Sequence, residues 1–287
     1  MSSSSGQTGS ERIHIYIIYT VGSTKQRHAT SRRSSTSLMD WSKELEHAHE
    51  LQPTHRRKVL ATEKYVFKIP LKRGEHDHFG GEHDPEFARF TDQNLCRATE
   101  LVQQYTTIPV PKIVQYSVDM TVLEFCQGND LESVYDQITP RKLAGIKLEL
   151  KEYIRQLWTV PNPYSDQFAV GTLCDTHEIL FTVDKTYPYR GPFRTTEEYR
   201  THVPGLFGRT AHFPVDTRPV FDHMDWYQSN IILHPNLDKI AAIIDWEYAG
   251  FIPDPRDMHI GDLQTATKEW IKDGWGNIFD GLDQPVY

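Results

Sequence analysis

The stretch 221–250, FDHMDWYQSNIILHPNLDKIAAIIDWEYAG, constrains the chain more than any other part of its sequence. Two short apolar runs are separated by the turn-rich segment HPNLDK, a pattern that predicts a β-hairpin. Asn230 begins the first run and Asp245 ends the second, so a hairpin brings these two side chains together. Asp225, five residues before Asn230, can fold over them. The sequence therefore predicts a cluster of oxygen ligands at one end of a hairpin.

Such a cluster suits magnesium chemistry, because Mg²⁺ prefers carboxylate, amide and phosphate oxygens. If Asn230 and Asp245 hold the metal, the carboxylate of Asp225 is left to accept a proton. Phosphoryl transfer from ATP needs this division of roles. Taken singly, each residue could instead cap a turn, bond a loop or end a strand. Taken together, their spacing around two strands favours the functional interpretation.

The N-terminal half carries strand signals. The run RRKVLA, the polar TEK and the run KYVFKIP predict a second hairpin, in which Lys68 points away from the face of Tyr65 and Phe67. A lysine on a strand is more often a solvated edge residue than a ligand-binding one. Two further strands are predicted within TIPVPKIVQYS and TVLEFCQG.

Helical periodicity marks two other segments. A helix is predicted from Pro85 to about Tyr105, and Asn94 lies within its apolar face, where an amide needs a buried partner. A second helix is predicted within RKLAGIKLELKEYIRQLW. Strands that come first and helices that come later predict an α+β chain.

The predicted boundary between the two parts is Gly128. We therefore expect a tail over residues 1–54, in which 13–21 could add an edge strand, an N-terminal nucleotide-binding lobe over 55–127, and a C-terminal catalytic lobe over 128–287.

Composition excludes several classes of function. The net charge of −8 is the wrong sign for a protein that neutralises nucleic-acid phosphates. The three cysteines include no C-x-x-C pair, which disfavours a disulfide framework or a structural zinc site. The apolar run 13–21 is too short to cross a bilayer.

These features favour a cytoplasmic protein without nucleic-acid or membrane partners. The basic, Ser-rich segment 24–39 weakly resembles an organelle transit sequence, although a solvated tail is the simpler interpretation. The sequence does not indicate an oligomeric state.

The motifs HMDWYQSN and IIDWEYAG resemble the H-x-D-x-x-x-x-N and I-D-W motifs of the aminoglycoside phosphotransferase and choline kinase-like family, distant relatives of protein kinases. The stretches TTIPVPKIVQYS and GPFRTTEEY resemble fungal members. The resemblance covers about residues 56–260. It implies a protein-kinase-like fold with a small β-rich N-terminal lobe and a larger, mainly helical C-terminal lobe, and an ATP- and Mg²⁺-dependent kinase that acts on a small-molecule hydroxyl.

The same resemblance assigns roles to individual residues. Asp225 would be the catalytic base, His223 would brace its loop, and Asn230 and Asp245 would bind Mg²⁺. Lys68 would contact the ATP phosphates. Backbone groups of Glu124 and Cys126, in the hinge segment LEFCQG, would bind adenine.

The sequence also departs from the family pattern. Met224 replaces the usual glycine of H-G-D, and the position of the glutamate that pairs with the strand lysine falls on Leu95. The neighbouring Asn94 could hold Lys68, but more weakly than a charged partner. These departures keep a second hypothesis open, a pseudokinase that binds a nucleotide or a protein partner. A protein kinase is disfavoured, because no A-P-E segment follows IIDWE.

A cationic substrate is a further open alternative. Acidic side chains near the cleft could attract a cation and aromatic rings could stack on it, with core packing as the alternative explanation for the rings. The residues concerned are Asp222, Glu247, Asp254, Trp226, Trp246 and Tyr248.

Overall fold

The structure is a computed structural model of the 287-residue chain. It describes residues 39–51, 57–72, 74–76, 85–178, 191–202, 214 and 216–254. The edge strand considered for 13–21 and the basic segment 24–38 lie outside these residues.

The N-terminal part is built on one antiparallel sheet of five strands in the order β1-β2-β3-β5-β4. A long helix, α2, accompanies the sheet. The elements are α1 (Ser42–Glu46), β1 (His49–Glu50), β2 (Arg57–Ala61), β3 (Tyr65–Pro70), α2 (Pro85–Tyr105), β4 (Ile113–Tyr116) and β5 (Thr121–Glu124). The hairpin and the helix that the sequence predicts here are confirmed.

The two faces of β3 differ as the alternation of its sequence predicts. Phe67 is fully buried on one face against Trp41, with ring centroids 5.6 Å apart. Lys68 is also buried, but it points to the opposite face and meets the C-terminal part of the chain. Strand β3 therefore places the positive charge of Lys68 in the interior of the protein.

Residues 39–51, which the sequence analysis assigned to the tail, pack on this sheet. β1 extends the sheet beyond β2, and Trp41 covers its outer apolar face. The Trp41 indole donates a hydrogen bond to Gln115 Oε1 at 3.1 Å. A tryptophan placed this way removes a large apolar area from water.

The C-terminal part combines helices with two three-stranded antiparallel sheets, ordered β10-β9-β6 and β7-β11-β8. Short 3-10 turns cover Tyr135–Gln137, Gln228–Asn230 and Trp246–Tyr248. The elements are β6 (Asn129–Asp130), α3 (Leu131–Val134), α4 (Pro140–Leu157), β7 (Gly171–Thr172), α5 (Thr196–His202), β8 (Pro219–Asp222), β9 (Ile231–Leu233), β10 (Ile240–Ile243) and β11 (Gly250–Pro253).

The helix α4 has a clear sequence basis. Thr139 caps its first turn by accepting from the Lys142 amide, and Pro140 occupies the first helical position, where a missing N–H costs nothing. Its apolar stripe is fully buried at Ile146, Leu150 and Ile154. One apolar cluster joins this stripe to α2 and to the β9–β10 hairpin, so the core fixes the hairpin relative to the N-terminal helix.

The predicted α+β organisation is confirmed, with a strand-rich N-terminal part followed by a part that combines helices and short sheets. The exact domain limits at residues 54 and 127 stay predictions. Among the described residues, no helix is long and apolar enough to cross a membrane.

Gly128 lies where the chain passes from one lobe to the other, and it is tightly enclosed. A Cβ atom added there would lie 2.1 Å from the Leu233 carbonyl oxygen. Gly145, on the exposed side of α4, has open space around it.

We therefore expect Gly128→Ala to lower the free energy of unfolding by roughly 3 kcal/mol, because backbone atoms must shift to admit the methyl group. Gly145→Ala serves as the matched control and should raise the free energy of unfolding by about 0.5–1 kcal/mol, since alanine is the better helix former. Urea unfolding of both variants checks the pair. Equal stabilities would show that the close approach at Gly128 is wrong.

Candidate functional site

The hairpin brings together the three residues that the sequence singled out. β9 and β10 pair with Ile231 opposite Ile243, and the Ile244 amide donates to the Asn230 carbonyl at 3.0 Å. The Asn230 side-chain amide donates to the Asp225 carbonyl at 2.9 Å and to Asp225 Oδ2 at 3.0 Å. Asn230 therefore holds the Asp225 loop against the end of the hairpin, one residue from Asp245.

The carboxyl group of Asp225 is unusually basic. Desolvation and the negative charges of Asp245 and Glu247 raise its pKa to about 8, against the opposing hydrogen bond from Asn230. The side chain is only partly buried, so it stays open to a substrate. A carboxylate with this pKa can accept a proton near neutral pH.

Asp245 has the opposite character. Burial opposes its charge, but Lys68 forms an ion pair with it and holds the pKa of the Asp245 carboxyl below its ordinary value. Its backbone lies in the left-handed region at φ 64°, which ends β10 sharply and turns the chain into the WEY turn. Asp245 therefore stays ionised under the conditions in which Asp225 exchanges a proton.

The partner of Lys68 differs from the one proposed from the sequence. Lys68 Nζ contacts Asp245 and lies 3.5 Å from Glu247 Oε2. Burial lowers the pKa of Lys68, yet these two carboxylates outweigh it and the net shift is upward. The lysine therefore stays charged. Glu247 supplies the carboxylate that is missing from the helix position occupied by Leu95.

Asn94 does not hold Lys68, and this part of the sequence interpretation is wrong. Its amide nitrogen donates to the carbonyls of Glu247 and Ala249 at 2.9 and 2.8 Å. Its oxygen accepts from the Leu173 amide at 2.7 Å. A buried amide is satisfied best by backbone groups of this kind, so Asn94 fastens α2 to the segment that follows Asp245 and is not the partner of Lys68.

Two charged residues that the sequence analysis missed complete the cluster. Arg57 of β2 is 2.7 Å from Asp92 Oδ1 and 2.8 Å from Glu247 Oε2, and all but a few per cent of its side chain is buried. Nothing in the sequence marks Arg57, because it stands among other basic residues in HRRK. Asp92 could have been noticed as a carboxylate near the middle of an amphipathic helix.

His223 lies behind the Asp225 loop and is fully buried. The Asp225 amide donates to His223 Nδ1 at 3.2 Å, which leaves Nε2 to carry the proton and donate to the Ile244 carbonyl at 2.8 Å. Desolvation lowers the pKa of His223 to about 4, so the ring is neutral. The two hydrogen bonds tie the backbone of the Asp225 loop to the end of the β9–β10 hairpin, and a neutral ring is suited to bracing this loop. The catalytic role of His223 stays a prediction.

Met224 occupies the place of the usual glycine and adopts the glycine-like conformation, with φ 66°. Methionine therefore does not deny the chain this backbone region. The conformation costs about 1–2 kcal/mol. Asp222 offsets it, because its Oδ1 accepts from the Met224 amide at 2.9 Å and from the Trp226 indole at 3.0 Å.

The predicted adenine-binding segment follows β5 at the edge between the lobes. The Glu124 amide donates to the Lys112 carbonyl and the Phe125 amide donates to the Lys64 carbonyl. The Glu124 amide already donates a hydrogen bond within the protein, so only the Glu124 carbonyl could bond to a nucleotide. Cys126 is partly exposed just beyond the sheet. Its role in adenine binding stays a prediction.

Two of the three aromatic rings considered for binding a substrate cation, those of Trp226 and Trp246, are part of the core, and Tyr248 is partly buried. Trp246 has no exposed surface and Trp226 has 8%, and both pack on His223. Asp222 and Asp254 are also buried, and Glu247 is engaged by Arg57 and Lys68. These side chains therefore give no support to a cationic substrate.

The oxygen donors at this end of the hairpin are of the kind that Mg²⁺ takes together with phosphate oxygens. In the part of the chain that the structure describes, no group of three or more His, Cys, Asp or Glu side chains could hold a metal by itself. Magnesium in nucleotide sites usually takes only one or two protein carboxylates, with phosphate and water oxygens as the other ligands. Asp245 and the side-chain oxygen of Asn230 supply such a partial set.

Comparison with known proteins gives matches only at the level of solved structures. No family model and no curated protein matches the sequence. A ternary complex of streptomycin, ATP and APH(2'')-IIa matches with 12% identity and a TM-score of 0.48, over 77% of this chain and 74% of that one. The GDP complex of aminoglycoside 2'-phosphotransferase-IIIa matches with 15% identity and a TM-score of 0.48, over 82% and 79%.

The macrolide 2'-phosphotransferase MphH from Brachybacterium faecium matches with 13% identity and a TM-score of 0.43, over 82% of this chain and 79% of that one. Each of the three matched proteins is a phosphotransferase. At TM-scores this low the matches carry no argument about the activity or the site of this chain.

The neutral state of His223 has a measurable consequence for stability. Its pKa in the folded protein is about 4, below the ordinary value of 6.5, so protonation favours the unfolded chain. The stability that depends on this group is fully present above about pH 6.5 and is lost as the pH falls to 4.

We expect the stability of the wild type, relative to that of His223→Gln, to fall by about 3 kcal/mol between pH 7 and pH 4, because glutamine does not titrate. Urea unfolding of both proteins at several pH values gives this difference, in which contributions from all other groups cancel. A difference that is constant with pH would contradict a buried neutral ring.

Proposed function

We propose that this chain is a Mg²⁺-dependent phosphotransferase that moves a phosphoryl group from ATP to a hydroxyl of a small molecule. The observation that carries the proposal is the arrangement of two carboxyl groups at one end of the hairpin, where Asn230 donates a hydrogen bond to Asp225 and Lys68 forms an ion pair with Asp245. The pKa of Asp225 is raised to about 8 and the pKa of Asp245 is lowered. Paired carboxyls whose pKa values are pushed apart divide into a proton acceptor and a permanent anion.

Asp225 is the proton acceptor. As the hydroxyl oxygen of the substrate bonds to the transferred phosphorus, its proton passes to the Asp225 carboxylate, and the bond from that phosphorus to the leaving oxygen breaks. Asn230 holds Asp225 by two hydrogen bonds, and His223 fixes the backbone of the same loop. The base is therefore oriented before a substrate arrives, which phosphoryl transfer requires because it depends chiefly on positioning.

Asn230 and Asp245 are the residues that would hold Mg²⁺. Bound there, the ion supplies positive charge against the phosphate oxygens. The local charge balance also favours a cation, because Asp92, Asp245 and Glu247 outnumber Arg57 and Lys68 before Asp225 is counted. An excess of carboxylates in a partly dry cleft stabilises a bound cation.

Lys68 supplies the remaining contact to phosphate. Its ammonium group is buried on β3 and kept charged by Asp245 and Glu247, and it projects from the N-terminal sheet to the metal-binding end of the hairpin. A lysine in this position can bind phosphate oxygens as a point charge.

The two departures that suggested a pseudokinase have structural compensations. Met224 adopts the backbone conformation that glycine would have, and Lys68 finds Glu247 in place of a helix glutamate. A catalytically active protein is therefore favoured over a degenerate one.

Removal of a proposed metal ligand gives the first test of the function. We expect ATP to bind more tightly with Mg²⁺ than without it. Asp245→Asn should reduce the ratio of these two affinities at least about tenfold, because losing even a residue that only supports a metal ligand weakens metal binding 10–100-fold. Titration calorimetry of ATP with and without Mg²⁺ measures both affinities.

Asp238→Asn is the matched control, because this carboxylate lies in the exposed turn of the same hairpin. The control should keep the full Mg²⁺ effect. If the wild type bound ATP equally well with and without Mg²⁺, the metal site would be wrong.

The raised pKa of Asp225 predicts the pH dependence of turnover. Because the base must be ionised, kcat/KM should fall about tenfold per pH unit below pH 8. The midpoint of this fall reports the pKa of Asp225 in the free protein. The corresponding fall in kcat should begin at a lower pH, because a cation bound with the substrates stabilises the ionised form of Asp225.

Asp225→Asn should reduce turnover by about 10²–10⁴-fold while leaving nucleotide affinity nearly unchanged. ADP release from Mg·ATP, with a panel of hydroxyl compounds as acceptors, measures these rates. Unchanged turnover in the variant would rule out Asp225 as the base.

A further inference from the structure

Lys68 is connected to helix α2 through an unbroken series of buried ion pairs. Asp92 of α2 contacts Arg57, Arg57 contacts Glu247, and Glu247 contacts Lys68, at 2.7, 2.8 and 3.5 Å respectively. We refer to these four residues as the ion-pair chain. Its members come from α2, β2, the WEY turn and β3, so it ties four separate elements to one ammonium group.

Arg57 is suited to the central position of the ion-pair chain. One terminal nitrogen, Nη1, lies between Asp92 and Glu247, and the other, Nη2, donates to Thr91 Oγ1 at 2.6 Å. Burial lowers the pKa of Arg57, but Glu247 and then Asp92 outweigh it and raise the pKa overall. The planar guanidinium can serve several acceptors at fixed angles, which a lysine cannot do.

Glu247 is held from two directions. Its carboxylate oxygen Oε2 is shared by Arg57 and Lys68, while its backbone carbonyl accepts from Asn94 of α2. The side chain has only 16% of its surface exposed. Both ends of this residue are therefore fixed relative to the same helix.

Asp245 cannot remain the ion-pair partner of Lys68 throughout a reaction cycle. It is the shorter contact of Lys68, but it is also the carboxylate proposed to hold Mg²⁺. When Asp245 is engaged by a cation, Lys68 keeps one fixed carboxylate partner among the described residues, Glu247. The importance of Glu247 for Lys68 should then be greatest when metal is present.

We propose that Arg57 and Glu247 are positioning residues that connect α2 to Lys68 and so orient the lysine for phosphate when Mg²⁺ occupies the site. Asp92 acts at the far end of the ion-pair chain by fixing Arg57. This inference rests on the proposed function, because Lys68 is given its phosphate contact there. It deepens that function by assigning roles to three residues, Asp92, Arg57 and Glu247, that touch neither nucleotide nor substrate.

The test compares two isosteric variants, Glu247→Gln and Asp92→Asn, by titration calorimetry of ATP with and without Mg²⁺. Glu247→Gln should weaken ATP binding about tenfold with Mg²⁺ present and less than about twofold without it, the range that loss of one member of a coupled network produces. Asp92→Asn should weaken it in the same Mg²⁺-dependent way, by about threefold.

Asp175→Asn is the matched control, because Asp175 also pairs with an arginine of α2, Arg97, but on the exposed side of the helix and outside the ion-pair chain. Its ATP affinity should equal that of the wild type. The double variant Asp92→Asn with Glu247→Gln should bind ATP no more weakly than Glu247→Gln alone, because both changes interrupt the same connection.

A second measurement needs no nucleotide. In the free protein, the effects of Asp92→Asn and Glu247→Gln on the free energy of unfolding should be non-additive, since both residues contact Arg57. Additive effects would overturn the ion-pair chain as a coupled unit. This measurement also shows whether each variant folds.

The outcomes separate the two levels of inference. A wild type that binds no ATP would show that the proposed function is wrong, and the positioning roles would fail with it. A wild type that binds Mg·ATP, with Asp92→Asn at the same affinity and only Glu247→Gln weakened, would overturn the ion-pair chain alone. In that case Glu247 would act directly at the metal or the phosphates.

Discussion

The buried pairing of Lys68 with carboxylates determines how the two lobes meet. Lys68 on β3 points its ammonium group toward the C-terminal part, and the segment that follows β10 places Asp245 and Glu247 against it. An unpaired charge at this depth would cost several kcal/mol, so neither lobe can present its side of the site without the other. The cleft is thus defined by charge compensation as much as by apolar packing.

The same pairing accounts for the chemistry around it. Lys68 keeps Asp245 ionised, whereas desolvation, and then the negative charges of Asp245 and Glu247, raise the pKa of Asp225. Burial and one ion pair therefore give the two aspartates opposite properties. His223 and Asn230 add directional hydrogen bonds, which fix where the more basic carboxyl group points.

Much of the fold was accessible from the sequence because its signals are local. The spacing in KYVFKIP placed Phe67 and Lys68 on opposite faces of a strand, and the turn between the apolar runs after Asn230 placed Asp245 next to it. The ion pairs were not accessible, because Arg57, Asp92 and Glu247 are far apart in the chain and meet only through tertiary packing. Asn94 was recognised as needing a buried partner, but its partners are backbone groups, which leave no mark in a sequence.

The three hydrogen bonds of Asn94 have a mechanical consequence. They fasten α2 to the carbonyls of Glu247 and Ala249 and to the amide of Leu173, while Arg57 fastens the same helix to β2. A helix fastened to both lobes cannot swing outward as a lever without breaking buried bonds on one side. The two lobes likewise cannot separate along α2 without breaking the bonds of Asn94 or those of Arg57, so the helix acts as a fixed strut between them.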